Sequence, residues 1–151
     1  MPAPTVVLTM KPGSPILHPP DNVVARWKIR KGDVEAGFAA AHCLEGYEGN
    51  CSRVHGHNWR VRVYLKCREL DSVGIGLDFR QIRKDLQDLL DRLDHKHLND
   101  LEPFRAVNPT SENIARFIFG ELSGKINSAA VSVSRVRISE TGSTGVMYWE
   151  E

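Results

Sequence analysis

The chain has 151 residues, of which 20 are Lys or Arg and 19 are Asp or Glu, leaving a formal net charge of +1. This length fits one domain that buries well over half of its unfolded surface. The near balance of charge argues against a nucleic-acid or anionic-lipid surface, and no segment approaches the ~20 apolar residues that span a bilayer.

Six of the eight prolines fall in the first 20 residues, so residues 1–22 read as an extended arm, with a single domain over 23–151. VVARWKIR, from Val23, predicts a strand, Gly32-Asp33 a turn, and VEAGFAAAH a second strand. CLEGYEGNCSRV reads as a loop. In HNWRVRVYLKCREL, Trp59, Val61, Val63 and Leu65 alternate with Arg60, Arg62, Tyr64 and Lys66, the pattern of a long half-buried strand whose basic face is solvated. Asp78 is placed to cap a helix opening near Phe79, with Ile82, Leu86, Leu89, Leu90 and Leu93 as its apolar stripe. A second helix follows from NPTSEN, with Thr110 as N-cap, Glu112 in its first turn, and Ile114, Phe117, Ile118 and Leu122 inward. AAVSVSRVRISET alternates as a strand, and VMYWE forms a short terminal one. This order predicts an α+β fold, an antiparallel sheet carrying two helices on one face.

Three polar constellations stand out. His55 and His57, at i and i+2 of a strand, leave the same face with Cα atoms about 6.6 Å apart, close enough to share an ion. His42 ends the preceding strand, and a hairpin around the 43–54 loop would bring it beside them. Three imidazoles with an open fourth position match a catalytic zinc. Two other readings stay open: an isolated HxH is common in cores, and Cys43 with Cys51 could close a structural zinc site. The latter fits poorly, because Cys43 follows His42 on an alternating strand and should face away. Cys67 reads as a buried or edge thiol. The sparse, odd set of three cysteines, behind a start that lacks a continuous apolar leader, suggests a reduced, cytoplasmic protein.

The second constellation is LDHKHLN. Asp94 beside His95 at a helix end can orient the imidazole as a general acid or base, although such neighbours more often mark a solvated helix terminus. His97 reads as surface and His18 as part of the arm. Glu140, at the end of the last long strand, could accept two parallel N–H donors from a guanine-like edge, or simply face outward.

FAAAH, C-x3-HGHN, GLDF, LDHKHLN, NPTSEN and the ET of SETGSTG, in this order from about Trp27 to Trp149, resemble the 6-pyruvoyltetrahydropterin synthase family. The similarity is greatest to its bacterial 6-carboxytetrahydropterin synthase branch, on the route to queuosine. The resemblance implies the tunnelling fold (T-fold), with trimers whose sheets form a barrel, stacked into hexamers with active sites between subunits. It implies a zinc triad of His42, His55 and His57, a catalytic thiol at Cys51, and an Asp94–His95 relay placed to serve a neighbour's Cys51. It assigns pterin anchoring to Glu140, with Thr110, Ser111 and Glu112 helping to hold the ring. The implied substrate is 7,8-dihydroneopterin triphosphate. The three-residue gap between Cys51 and His55 matches the 6-carboxy branch, the gap being longer in animal 6-pyruvoyl synthases. A 6-pyruvoyl synthase on the same scaffold and a non-catalytic zinc-stabilised binding module are the competing expectations. Arg53, Arg60 and Lys66 are equally plausible partners for the triphosphate.

Overall fold

The computed structural model describes residues 29–151. The proline-rich arm, His18 and the start of the VVARWKIR segment lie outside the described residues. Among the described residues the chain runs β1 (Arg30–His42), β2 (His55–Cys67), α1 (Phe79–Leu90), β3 (Lys96–His97), α2 (Ser111–Ile126), β4 (Val131–Ser139) and β5 (Val146–Tyr148). The strands form one five-stranded sheet in the order β3-β1-β2-β4-β5. All pairings are antiparallel except the short β1–β3 pair.

The turn expected at Gly32-Asp33 is absent. Both residues sit inside one continuous 13-residue strand, paired with Leu65 and Tyr64. Gly32 serves close approach instead of reversal: a Cβ there would come within 2.8 Å of Leu77 Cδ1 and 3.2 Å of the Phe79 ring. β1 and β2 therefore form one long hairpin whose final register pair is His42 with His55.

The two-residue period of β2 holds. Trp59, Val61, Val63 and Leu65 are buried, while Arg60 and Lys66 are exposed and Arg62 and Tyr64 partly so. On that outer face Glu35 of β1 receives Arg60 Nη2 at 2.6 Å and Arg62 Nε at 2.9 Å. The inner face carries both helices. Asp78 Oδ1 caps α1 by accepting from Arg80 N–H, and Ile82, Leu86, Leu89 and Leu90 are buried beneath it. Leu93, expected on the same stripe, is buried in the turn beyond the helix. Thr110 Oγ1 caps α2 by accepting from Asn113 N–H at 3.2 Å. Ile114, Ala115, Ile118, Phe119 and Leu122 fill its inner side, with Phe117 at the margin.

β4 carries an irregularity. Tyr64 pairs with Arg135 but Leu65 pairs with Val133, so Ser134 is an extra residue in the ladder, a β-bulge. Val131 and Val133 face the core before it, Val136 and Ile138 after it.

Candidate active site

The β1–β2 hairpin builds the centre of the site at its open end. His42 pairs with His55, and Ala40 pairs with His57, so the three imidazoles share the helix-facing side of the sheet. Their ring centroids lie 4.5 Å (His42–His55), 5.1 Å (His42–His57) and 5.0 Å (His55–His57) apart. One ring nitrogen or other ligand atom from each falls within 4.8 Å of the others. Trp59 forms the floor, with its ring edge-on to His42 and His57 at 5.1 and 5.0 Å and its Nε1–H donating to the Ala40 carbonyl. The same two-residue period that put Trp59 on the His57 face could have located this floor.

Protonation of two rings follows from their partners. His42 Nδ1 lies 2.7 Å from the Pro109 carbonyl, and His55 Nδ1 lies 2.7 Å from the Arg53 carbonyl. A carbonyl can only accept, so each Nδ1 carries the hydrogen and each Nε2 presents its lone pair. Nε2 of His42 and of His57 is buried without a hydrogen-bond partner among the described residues. Burial pushes both pKa values below the usual histidine range, which favours the neutral, ligating form. Converging neutral imidazoles with orphaned buried lone pairs fit a divalent transition metal. Cys43, Cys51 and Cys67 are free thiols, and none joins the histidine cluster, so the structural cysteine site is not formed. Cys67 is buried.

Cys51 lies in a short 3-10 turn, Asn50–Ser52, within the loop that joins β1 to β2. Its carbonyl accepts from Leu44 N–H at 2.8 Å, which folds the loop back on itself. The thiol is partly exposed.

Glu140 turns inward. Ser111 Oγ, at the first turn of α2, donates to Glu140 Oε1 at 2.8 Å. The Glu140 charge acts on both His42 and His57, favouring their protonated forms against the larger effect of burial. Thr110 is engaged as the helix cap and Glu112 is exposed on the outer side of the first turn. The bond that places the carboxylate is therefore Ser111's.

Asp94 and His95 meet as the sequence suggested, at the turn after α1. His95 Nδ1–H donates to Asp94 Oδ2 at 2.7 Å, while Asp94 Oδ1 accepts from Ala39 N–H at 2.8 Å. These hydrogen bonds, the one from Ala39 foremost, hold the Asp94 carboxyl below its ordinary pKa. His95 has φ +54°, a left-handed conformation rare for a residue with a Cβ. Its N–H donates to the Ala39 carbonyl at 2.6 Å, so both sides of the turn are tied to one residue of β1. The His95 side chain is 82% exposed. His97, expected at the surface, lies half-buried in β3 beside Ala41, its Nδ1 3.2 Å from Asp100 Oδ2. The parallel pairing with β1, which two residues cannot announce in a sequence, draws it in.

Sequence reasoning missed three further contributors. Pro109 supplies the carbonyl that orients His42. Asn99 and Asn108 pair with the backbone of Cys43 and Glu45 at the start of the Cys51 loop. All three act through contacts more than 50 residues away along the chain; they stand inside the motifs LDHKHLN and NPTSEN, which mark the segments without giving these partners.

The family model described as 6-pyruvoyl tetrahydropterin synthase matches residues 31–151. A 6-carboxy-5,6,7,8-tetrahydropterin synthase of Synechocystis is 35% identical over 128 residues, covering 82% of this chain and 93% of that protein. A putative 6-carboxy-5,6,7,8-tetrahydropterin synthase of Archaeoglobus fulgidus is 34% identical over 107 residues, covering 71% and 84%. Among solved structures, the 6-pyruvoyl tetrahydropterin synthase of Caenorhabditis elegans superimposes with a TM-score of 0.72 at 29% identity, covering 82% of this chain and 96% of that one.

Proposed function

The chain belongs to the 6-pyruvoyl tetrahydropterin synthase family, and from that premise we propose that it is a zinc-dependent carbon–carbon lyase. Its reaction converts 7,8-dihydroneopterin triphosphate and water to 6-carboxy-5,6,7,8-tetrahydropterin, acetaldehyde and triphosphate. The observation that carries this reading is the convergence of His42, His55 and His57 beside a carboxylate, Glu140, held inward by Ser111. Relatives named for the 6-carboxy product, together with the three-residue gap from Cys51 to His55, favour that product over the 6-pyruvoyl one.

His42, His55 and His57 hold the zinc, which when bound supplies a Lewis acid for the hydroxyls of the pterin side chain. Glu140 accepts the paired N–H donors of the pterin ring and fixes the side chain in register over the site. Ser111 keeps that carboxylate aimed, and Thr110 caps the helix that carries Ser111, the segment whose Thr110, Ser111 and Glu112 help to hold the ring. Cys51 takes a proton from the side-chain carbon, acting through its sulfur as the base. His95, its Nδ1–H held by Asp94, takes up a proton at Nε2 and passes it on, the shuttle between thiol and substrate. The exposure of the His95 side chain supports its service to a neighbouring copy in a dimer of trimers with sites between subunits.

Product analysis tests this reading. Incubation with 7,8-dihydroneopterin triphosphate should yield acetaldehyde in step with substrate loss. A pyruvoyl pterin without acetaldehyde would instead establish the 6-pyruvoyl activity. A binding module would produce neither and would tolerate loss of Cys51.

A further inference from the structure

We infer that Asn99 and Asn108 are positioning residues that lock the Cys51 loop to the two other segments of the site; this rests on the reading of Cys51 as the reactive thiol. Cys43 N–H donates to Asn99 Oδ1 at 3.0 Å, and Asn99 Nδ2 donates back to the Cys43 carbonyl at 2.9 Å. Two residues on, Glu45 N–H donates to Asn108 Oδ1 at 2.8 Å, and Asn108 Nδ2 donates to the Glu45 carbonyl at 2.9 Å. A carboxamide presents donor and acceptor side by side in one plane. Each asparagine thus replaces the strand neighbour that the chain does not supply beyond the end of β1.

Leu44, between the two pinned residues, points its N–H the other way and donates to the Cys51 carbonyl at 2.8 Å. The backbone of Cys51 is one hydrogen bond from a limb held on both sides of that contact. The two pins come from different places. Asn99 follows the Asp94–His95 turn and β3, while Asn108 precedes the Thr110 cap and the Ser111 that holds Glu140. Asn108 is itself fixed, its carbonyl accepting from Thr110 N–H and Asn113 Nδ2, each at 2.8 Å. Thiol loop, relay turn and ring-anchoring helix therefore share one set of bonds. Displacing a reacting group by about 1 Å can cost about 10²-fold in rate.

Aspartate at either position keeps the acceptor but turns a carboxylate oxygen toward the backbone carbonyl. Asn99→Asp, Asn108→Asp and the double variant should be compared with the wild type in the zinc-loaded enzyme. The readouts are kcat, KM, zinc per chain and amide exchange at Leu44. Each single variant should speed Leu44 exchange about tenfold or more and lower kcat roughly 10- to 100-fold, with KM within about threefold and zinc unchanged. The single variants carry the test should the double fail to fold. A kcat within about twofold of wild type, unaltered Leu44 exchange, or a kcat that falls only in step with lost zinc would each overturn the inference. Absence of turnover in the wild type would refute the substrate assignment, while Leu44 exchange would still judge the clamp.

Discussion

His42 donates its Nδ1 hydrogen to the Pro109 carbonyl, 2.7 Å away and 67 residues later in the chain. The bond fixes which nitrogen faces the site and ties the end of β1 to the start of α2. His55→Ala should lose most of its metal while remaining folded, because the chain around His55 is partly exposed. His42→Ala should lose the metal too, and its metal-free form should be destabilised by about 1–3 kcal/mol, since a buried carbonyl is left unpaired. Metal analysis and urea unfolding of both variants decide this; full metal retention in either would contradict the triad.

Cys51 lies outside the histidine cluster. Cys51→Ala should therefore keep its metal and its unfolding midpoint while kcat drops about 10²- to 10⁴-fold, the range expected for loss of a proton-transferring group. Steady-state kinetics with parallel metal analysis checks this, and near-normal turnover would remove the thiol from the mechanism.

Glu140 and Ser111 should separate by degree. Glu140→Ala removes the carboxylate proposed to anchor the ring and should raise KM more than it lowers kcat. Ser111→Ala leaves the carboxylate but releases its orientation, an effect near that of one hydrogen bond to a charged group, about 1.5–3 kcal/mol at most. An unchanged KM in Glu140→Ala would argue against the anchor.

Asp94 has two duties that substitution can split. Asp94→Asn can still accept from Ala39 N–H, so the turn should persist, but the imidazole loses its charged partner. Asp94→Ala loses both bonds, and the left-handed conformation of His95 then lacks half of its support. Both variants should lose turnover, whereas a lower unfolding midpoint is expected of Asp94→Ala alone. Equal midpoints would show that Ala39 does not rely on this carboxylate.

Burial holds His42 and His57 neutral in the folded chain at pH values where they would protonate once unfolded. Between their lowered folded pKa values and the usual value of about 6.5, the unfolded state binds more protons. Stability of the metal-stripped protein should be full above about pH 6.5, fall as pH drops through the window below it, and level off beneath the folded values. Urea midpoints at about pH 7.5 and 5.5 measure the drop, which should shrink in His57→Ala.

The legible parts of this fold are those written in local periods. The alternation of β2 placed His55, His57 and Trp59 on one face, and Asp78 and Thr110 announced their helices by capping chemistry. Gly32-Asp33 misled because a glycine that admits a close neighbour and one that reverses the chain look alike in sequence. β3, the Pro109 carbonyl and the two asparagine clamps depend on contacts between distant segments, which no short window contains. Glu140 could not be oriented from its strand alone, since outward and inward acids share one pattern.

The orientation of Glu140 traces back to the extra residue in β4. Before Ser134 the odd-numbered positions Val131 and Val133 face the core; after it the even-numbered Val136 and Ile138 do. Position 140 inherits the second parity and arrives on the side of Ser111 and the histidines. Were Ser134 paired in the ladder instead of bulged, the alternation from Val133 would run on through Arg135 and Arg137 and send the carboxylate to the far side of the sheet. A single unpaired residue, several positions upstream, thus works as a phase setting for the ligand-facing end of the strand.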